Sequence, residues 1–141
     1  MKIMGTALCI VSLMGSVVWA GGLSAEALHL RHGDVVGRQK FEQGVVDWAE
    51  EVALVSGSCP VPNSTLPADH LRAKRAARIS LWERVSGLFC ELTGCSSPGN
   101  EAIPRGFFRE TSVTEYCKDG SYVLEVAIPL KRLMELAEER P

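Results

Sequence analysis

The chain has 141 residues and a formal net charge of −2, with 46% hydrophobic and 23% charged residues. This length fits one compact domain rather than two. The weak negative charge argues against a nucleic-acid partner, and the composition predicts an ordinary hydrophobic core.

The first twenty residues have the pattern of a cleavable secretory signal. Lys2 is their only charge, and a run of apolar and small residues continues to Ala20. Val-Trp-Ala at residues 18–20 precedes Gly21, which is typical of a signal cleavage site. Interspersed glycines and serines make the run a weak transmembrane candidate, although an uncleaved anchor is the alternative. We predict a signal peptide over residues 1–20, an exported product and no membrane span after cleavage.

Four cysteines lie beyond the predicted signal: Cys59, Cys90, Cys95 and Cys117. An even number of cysteines in an exported domain predicts two disulfides. A zinc site of four thiolates is the alternative, but the chain contains no C-x-x-C pair. We therefore predict disulfides, and neither a metal nor a cofactor.

Residues 21–43 show no sustained hydrophobic period and contain four glycines. This pattern predicts a flexible lead-in to the folded domain, which we place at residues 44–141. His29 and His32 have a spacing that could serve one metal ion. We expect them instead to be two solvated histidines in a mobile arm.

The first ordered element is predicted to be extended. Alternation places these residues on one side of the chain: Val46, Trp48, Val52 and Leu54. A turn or bulge near Ala49-Glu50 would divide the segment into two short strands. The strand is expected to end at Ser56-Gly57-Ser58-Cys59-Pro60, before a proline-containing loop.

A long amphipathic helix is predicted from Leu66 to Leu92. Its apolar face is formed by residues with spacings of four and three: Ala73, Ala77, Leu81, Val85, Leu88 and Leu92. Asn63 or Thr65 can cap its start, and Gly94 can end it in a left-handed conformation. The small pair Ala76-Ala77 would allow close packing on a sheet. The basic cluster at residues 72–78 could bind anionic lipid or polyanionic surface sugars, but we expect it to be a solvated face.

Two strands and a short helix are predicted to follow. Residues 105–116 alternate poorly, which favours an edge strand, and Asp119-Gly120 suits a tight hairpin turn. The next strand places alternate residues on one face: Tyr122, Leu124, Val126 and Ile128. Residues 130–139 read as a short amphipathic helix. The sequence thus predicts an α+β domain, with a long helix on a small, mostly antiparallel three-stranded sheet.

Several short motifs are spread over residues 44–131, and they contain Trp48, Gly57, Ala73, Ala76, Ala77, Gly120 and Tyr122. In their order and spacing these motifs resemble the LPP-twenty family of small bacterial envelope lipoproteins, which includes the flagellar P outer-membrane proteins. Members of the family have a Gly-x-Gly-Pro-Pro-like turn, an A-K-R-A-A helix core and a Gly-x-Tyr-x-Val strand. Cys59 replaces the second glycine of that turn, and the lipid-attachment cysteine is absent. The resemblance implies an envelope scaffold without catalytic residues.

The disulfide pairing is predicted from topology. A right-handed crossover makes the strands ending near Ser56 and Tyr116 parallel, which places Cys59 and Cys117 at one end of the sheet. The helix between them carries Cys90 to the opposite end. We predict Cys59–Cys117 and Cys90–Cys95 bridges.

The leading functional hypothesis is a non-catalytic scaffold or assembly component of the periplasm or outer membrane, associated with flagella in some members of the family. Its partners would be other envelope proteins or further copies of the chain. The alternative is a module that binds a small molecule or a surface, at the uncovered sheet face or near Trp48 and Trp82. An enzyme is not predicted, because His70 is the only histidine in the predicted domain and the cysteines are expected to be bridged.

Overall fold

The computed structural model describes residues 25–33, 35–94, 103, 106–109 and 111–138. The predicted signal segment and Cys95 lie outside these residues. As predicted, the chain is an α+β protein. Its elements are α1 (Ala25–Arg31), β1 (Arg38–Lys40), β2 (Val45–Asp47), β3 (Val52–Pro60), α2 (Pro67–Thr93), a 3-10 turn (Phe107–Arg109), β4 (Val113–Lys118), β5 (Ser121–Pro129) and α3 (Leu130–Glu138).

The strands form one antiparallel sheet in the order β1-β2-β3-β5-β4. The sheet has five strands where the sequence predicted three, because β1 was not foreseen and the first predicted strand is a hairpin. Its turn contains Glu51, whose φ is 54°. The reversal pairs Val46 with Ala53, and both are fully buried. Leu54 therefore lies on the opposite face from Val46, so their predicted placement on one side was wrong.

The segment predicted to be a flexible lead-in contains α1 and β1. Leu28 of α1 is completely buried in the hydrophobic core. A guanidinium nitrogen of Arg31 donates a hydrogen bond to the carbonyl of Thr93 at 2.8 Å, and Nε2 of His32 donates to the carbonyl of Leu92 at 3.3 Å. The last turn of α2 contains no basic residue of its own. These two side chains therefore supply donors to the free carbonyls at the end of α2, and the guanidinium of Arg31 adds the positive charge that a helix C-terminus favours.

Helix α2 follows the predicted apolar face. All six residues of that face are buried. Gly94 ends the helix with φ 77°, and its N–H donates to the carbonyl of Cys90 at 2.8 Å, as predicted. The start differs from the prediction: Leu66 is the N-cap and makes no capping hydrogen bond. Asn63 instead accepts hydrogen bonds from the backbone and hydroxyl of Thr65.

Gly57 of β3 lies where the sheet and α2 come closest. A Cβ atom at this position would be 2.4 Å from the backbone nitrogen of Leu81 and 2.5 Å from the carbonyl oxygen of Ala77. Ala77 itself is completely buried. The close packing predicted from the small Ala76-Ala77 pair is thus made by Ala77, whereas Ala76 is half-buried. The close approach of α2 to β3 also requires a glycine at position 57 of the strand.

The C-terminal part agrees with its sequence pattern. Asp119 and Gly120 form the β4–β5 turn with positive φ values of 52° and 74°, as expected for a tight hairpin. β4 is an edge strand, as predicted, but it begins at Val113. The residues before it form the 3-10 turn, because Phe107 is drawn into the core.

Candidate functional site

The residues of the family motif are dispersed through the fold rather than gathered at one site. Trp48, Gly57, Ala73 and Ala77 are buried, while Ala76 and Tyr122 are half-buried and Gly120 lies in the exposed turn. Their roles are core packing, close backbone approach and turn formation. The motif residues therefore explain the fold, and a functional site has to be found among other side chains.

The cysteines differ from the predicted pairing. Cys59 and Cys117 both lie opposite Tyr122, on either side of β5, and both are free thiols. Two strand spacings of about 4.7–4.9 Å separate them, beyond the ~7 Å that a disulfide tolerates between α-carbons. The strands carrying them are parallel as predicted, but the bridge is absent because β5 lies between. Cys90 is disulfide-bonded. Since Cys95 lies outside the described residues, their pairing stays a prediction.

The histidines expected in a mobile arm are half-buried against aromatic rings. The ring of His29 stacks on Trp48 with centroids 4.9 Å apart, and its Nε2 donates to the carbonyl of Val35 at 2.6 Å. The ring of His32 contacts Phe41 edge-on at 5.3 Å. Both histidines therefore hold α1 against the sheet. The sequence signal that could have revealed this is the pair of aromatic residues that follow them.

The largest ionisable network ties α2 to β4. Tyr122 donates a hydrogen bond to Oε2 of Glu115 at 2.5 Å, and Nζ of Lys74 lies 3.1 Å from the same oxygen. The Tyr122 hydroxyl, followed by Lys74, holds the pKa of Glu115 below its ordinary value. Glu115 in turn raises the pKa of Tyr122 to about 12. Glu115 is thus a stabilised anion whose charge is already compensated, which suits a structural role.

Asp47 is a second anchored carboxylate, in β2 beside the turn. It accepts hydrogen bonds from the backbone N–H groups of Ala49 and Glu50, each at 3.1 Å, and from Nε of Arg38 at 3.2 Å. The Glu50 N–H is the main reason that the pKa of Asp47 lies below its ordinary value of 3.8, and Arg38 lowers it further. Asp47 therefore holds the β2–β3 reversal.

This geometry predicts how stability depends on pH. A carboxylate whose pKa is lowered by folding stabilises the fold above its ordinary pKa, and that contribution is lost as pH falls through the folded-state value. We expect the melting temperature to fall below about pH 4, and to fall less steeply in Asp47→Asn. Asp119→Asn, in the exposed β4–β5 turn, should keep the wild-type profile. Thermal melts between pH 2 and pH 6 test this prediction, and parallel profiles for wild type and Asp47→Asn would contradict it.

One face of the sheet is lined by strand side chains, and no side chain from a described helix lines the depression on it. Side chains of β2, β3, β4 and β5 on this face, with Ser112, surround a shallow depression of about 420 Å³. We define the open face by the strand side chains around it: Val45, Leu54, Ser56, Thr114, Glu125 and Ala127. Val45 and Leu54 are half-buried and Ala127 is exposed. The open face therefore combines apolar and polar groups over the central strands.

A separate cavity lies on the helix side of the sheet. It measures about 330 Å³ between α2, the 3-10 turn and β4. Trp82 and Phe108 form one wall, with ring centroids 5.6 Å apart. The guanidinium-bearing residues Arg78 and Arg109 line the same cavity. Sequence analysis singled out Trp82 and placed Arg78 in a solvated basic cluster, but it did not connect Arg78 with Arg109, because they are 31 positions apart in the chain.

Other classes of site find no support among the residues that the structure describes. His70 donates Nε2 to the carbonyl of Ser64 at 2.8 Å, at the start of α2. Those residues include no group of three or more side chains able to hold a metal ion. None of the described helices is both long enough and apolar enough to cross a membrane.

Comparison with family models, with curated proteins and with solved structures finds no significant match to this chain. The similarity to the LPP-twenty family therefore rests on the sequence motifs alone.

Proposed function

We propose that this chain is an exported, non-catalytic assembly component of the bacterial envelope, located in the periplasm or at the outer membrane. The observation that carries this proposal is the open face. Apolar side chains on the central strands of a sheet are ordinarily covered by a packed layer. Among the residues that the structure describes, only strand residues and Ser112 line the depression, and Val45, Leu54 and Ala127 are not covered by a further layer. A protein partner would supply the missing layer.

The rest of the molecule supports this reading. The side chains with displaced pKa values, Asp47, Glu115, Tyr116 and Tyr122, are each engaged in hydrogen bonds within or between elements. Such arrangements stabilise structure and do not pair a nucleophile with a base. The motif resemblance adds envelope assembly, in some members around flagella, with another envelope protein or a second copy of the chain as partner.

Export has a direct test. The Val-Trp-Ala sequence ahead of Gly21 predicts removal of residues 1–20. Intact-mass measurement on protein recovered from the periplasm of an expressing bacterium should give a chain that begins at Gly21. Recovery of the full-length chain in the membrane fraction would contradict both the cleavage and the absence of a membrane span.

Assembly through the open face is tested by placing a charge there. We expect Leu54→Arg to fold, since the aliphatic stem of arginine can cover apolar surface, and to weaken assembly by at least tenfold. Leu71→Arg is the matched control, because Leu71 lies on α2 outside the open face and is 51% exposed. Sedimentation measures self-association, and cross-linking followed by capture from envelope extracts measures binding to other proteins.

The outcomes separate the possible partners. Self-association lost only in Leu54→Arg supports a second copy, and a captured envelope protein lost only in that variant supports a different partner. If Leu54→Arg and Leu71→Arg assemble equally well, the open face is not the assembly surface. If the wild type is a monomer and captures no envelope protein, the proposed assembly function is wrong.

A second candidate function, small-molecule binding, is favoured by the cavity beside Trp82 rather than by the open face. The cavity lies on the opposite side of the sheet, so the two functions are compatible in one protein.

A further inference from the structure

The cavity beside Trp82 has a largely apolar interior. Leu81 and Leu124 are fully buried behind it, and Trp82, Phe108 and Val113 are half-buried around it. Ligand pockets of this kind combine a mostly apolar lining with a few polar groups, and occupy roughly 300–1,000 Å³. At about 330 Å³, this cavity fits the lower end of that range. Its shape and lining therefore suit a small molecule with one or two rings.

Among the described residues that line the cavity, positively charged side chains outnumber negatively charged ones. Glu115 is the one acidic residue among these described residues, and this carboxylate is already bound by Lys74 and Tyr122. Arg78 and Arg109 are exposed, and neither makes an ion pair or a side-chain hydrogen bond with any residue that the structure describes. The charge of Arg78 helps to lower the pKa of the Glu115 carboxyl and is therefore partly offset by it. The cavity nevertheless presents two guanidinium groups whose hydrogen-bond donors are not engaged by any described residue. Guanidinium groups bind carboxylate, sulfonate and phosphate oxygens with paired hydrogen bonds.

We propose that this cavity binds a small molecule that carries an aromatic ring and one anionic group. The ring packs against Trp82 and Phe108, where an offset or edge-to-face arrangement is favourable. The anionic group lies at the mouth and is bound by Arg78 and Arg109. This ligand site is independent of the proposed assembly function, because it uses the helix side of the sheet and none of the residues that define the open face.

The choice of an anion over a neutral or cationic ligand follows from the same groups. A cation would meet Arg78, Arg109 and Lys74 with only Glu115 to offset them. A neutral ring would fill the apolar interior but leave both guanidinium groups in water. An anionic ring uses both parts of the cavity at once.

The proposal is tested with 2-naphthoate as the probe and its neutral analogue 2-naphthamide as the matched ligand. Titration calorimetry on the exported chain should show 2-naphthoate binding at least about tenfold more tightly, since hydrogen bonds to charged groups contribute about that factor. Arg78→Gln and Arg109→Gln should each weaken 2-naphthoate binding by roughly tenfold and leave 2-naphthamide binding unchanged. Arg84→Gln, on an exposed position of α2 outside the cavity, should bind as wild type.

A second variant tests the location without removing a charge. Val113→Phe replaces a small aliphatic side chain in the cavity by an aromatic ring, and strands accept aromatic residues readily. Because the ring fills the cavity, this variant should abolish binding of both ligands. Absence of 2-naphthoate binding to the wild type, equal affinity for the two ligands, or unchanged binding in Val113→Phe would each overturn the proposal. Loss of binding in Leu54→Arg would do the same, because that residue belongs to the open face.

Discussion

Gly57→Ala is expected to lower the free energy of unfolding by about 1–3 kcal/mol, the typical cost of overpacking. The added Cβ would lie 2.4 Å from the Leu81 nitrogen and 2.7 Å from its α-carbon. Both atoms belong to the backbone of α2, so the contact cannot be relieved by rotating a side chain. The helix has to move away from β3, which loosens the packing around Ala77. In a domain whose whole stability is roughly 5–15 kcal/mol, this is a large effect.

Gly106→Ala is the matched control for this prediction. Nothing lies within 4 Å of a Cβ at Gly106, and its φ is not in the left-handed region. We expect this variant to melt at nearly the wild-type temperature, and chemical denaturation should give the two differences in free energy directly. Equal stability of the two variants would show that α2 does not contact β3 at Gly57.

Leu28→Ala is expected to cost about 2–5 kcal/mol, the range measured when a buried leucine is truncated in a core. Leu28 is completely buried and belongs to the same apolar cluster as the sheet and α2. Its removal would leave a cavity under α1 and weaken the attachment of that helix. The donors of Arg31 and His32 at the end of α2 would then be lost for part of the time, which adds to the effect.

Leu30→Ala is the matched control, because it makes the same leucine-to-alanine change in α1 at a position that is not buried. The difference between the two variants therefore reports the burial of Leu28 rather than the helix propensity of alanine. Leu30 lies two residues further along α1 and is 61% exposed, so we expect its truncation to change stability by less than about 0.5 kcal/mol. Amide hydrogen exchange should show strong protection in α1 of the wild type and its loss in Leu28→Ala. Rapid exchange of α1 in the wild type would instead restore the interpretation of this segment as a flexible lead-in.

The position of α1 bears on the proposed export. If cleavage follows Ala20, the mature chain keeps Leu28, Arg31 and His32, and with them the described contacts of α1 with the core and with the end of α2. Folding after export would then include the N-terminal helix. A truncation that begins beyond residue 33 should lose stability, even though it preserves every motif that resembles the LPP-twenty family.

The free thiols also bear on the assembly experiments. Cys59 is half-buried and Cys117 is exposed, and β5 keeps them apart within one chain. In an oxidising compartment an exposed thiol can react with a partner's thiol. The assembly experiments should therefore be carried out both with and without reductant, so that covalent and non-covalent association are distinguished.

The sequence by itself determined the parts of this protein that depend on neighbours in the chain. The apolar period from Ala73 to Leu92 predicted the buried face of α2, because side chains three and four positions apart share one side of a helix. The strict alternation of β5 and the Asp119-Gly120 turn were predicted in the same way. Each of these patterns reflects local backbone geometry, which a single segment expresses without reference to the rest of the fold.

Only the tertiary structure decided which distant segments meet. β5 entered between β3 and β4, and this separated Cys59 from Cys117, although the direction of their strands was predicted correctly. α1 has too few apolar residues to show a sustained period, yet the core buries Leu28 and the end of α2 binds Arg31. The cavity joins Arg78 to Arg109 through packing of Trp82 on Phe108. Such contacts form when whole helices and strands pack against one another. A local sequence pattern shows which face of an element is apolar, but it does not show which other element will pack on that face.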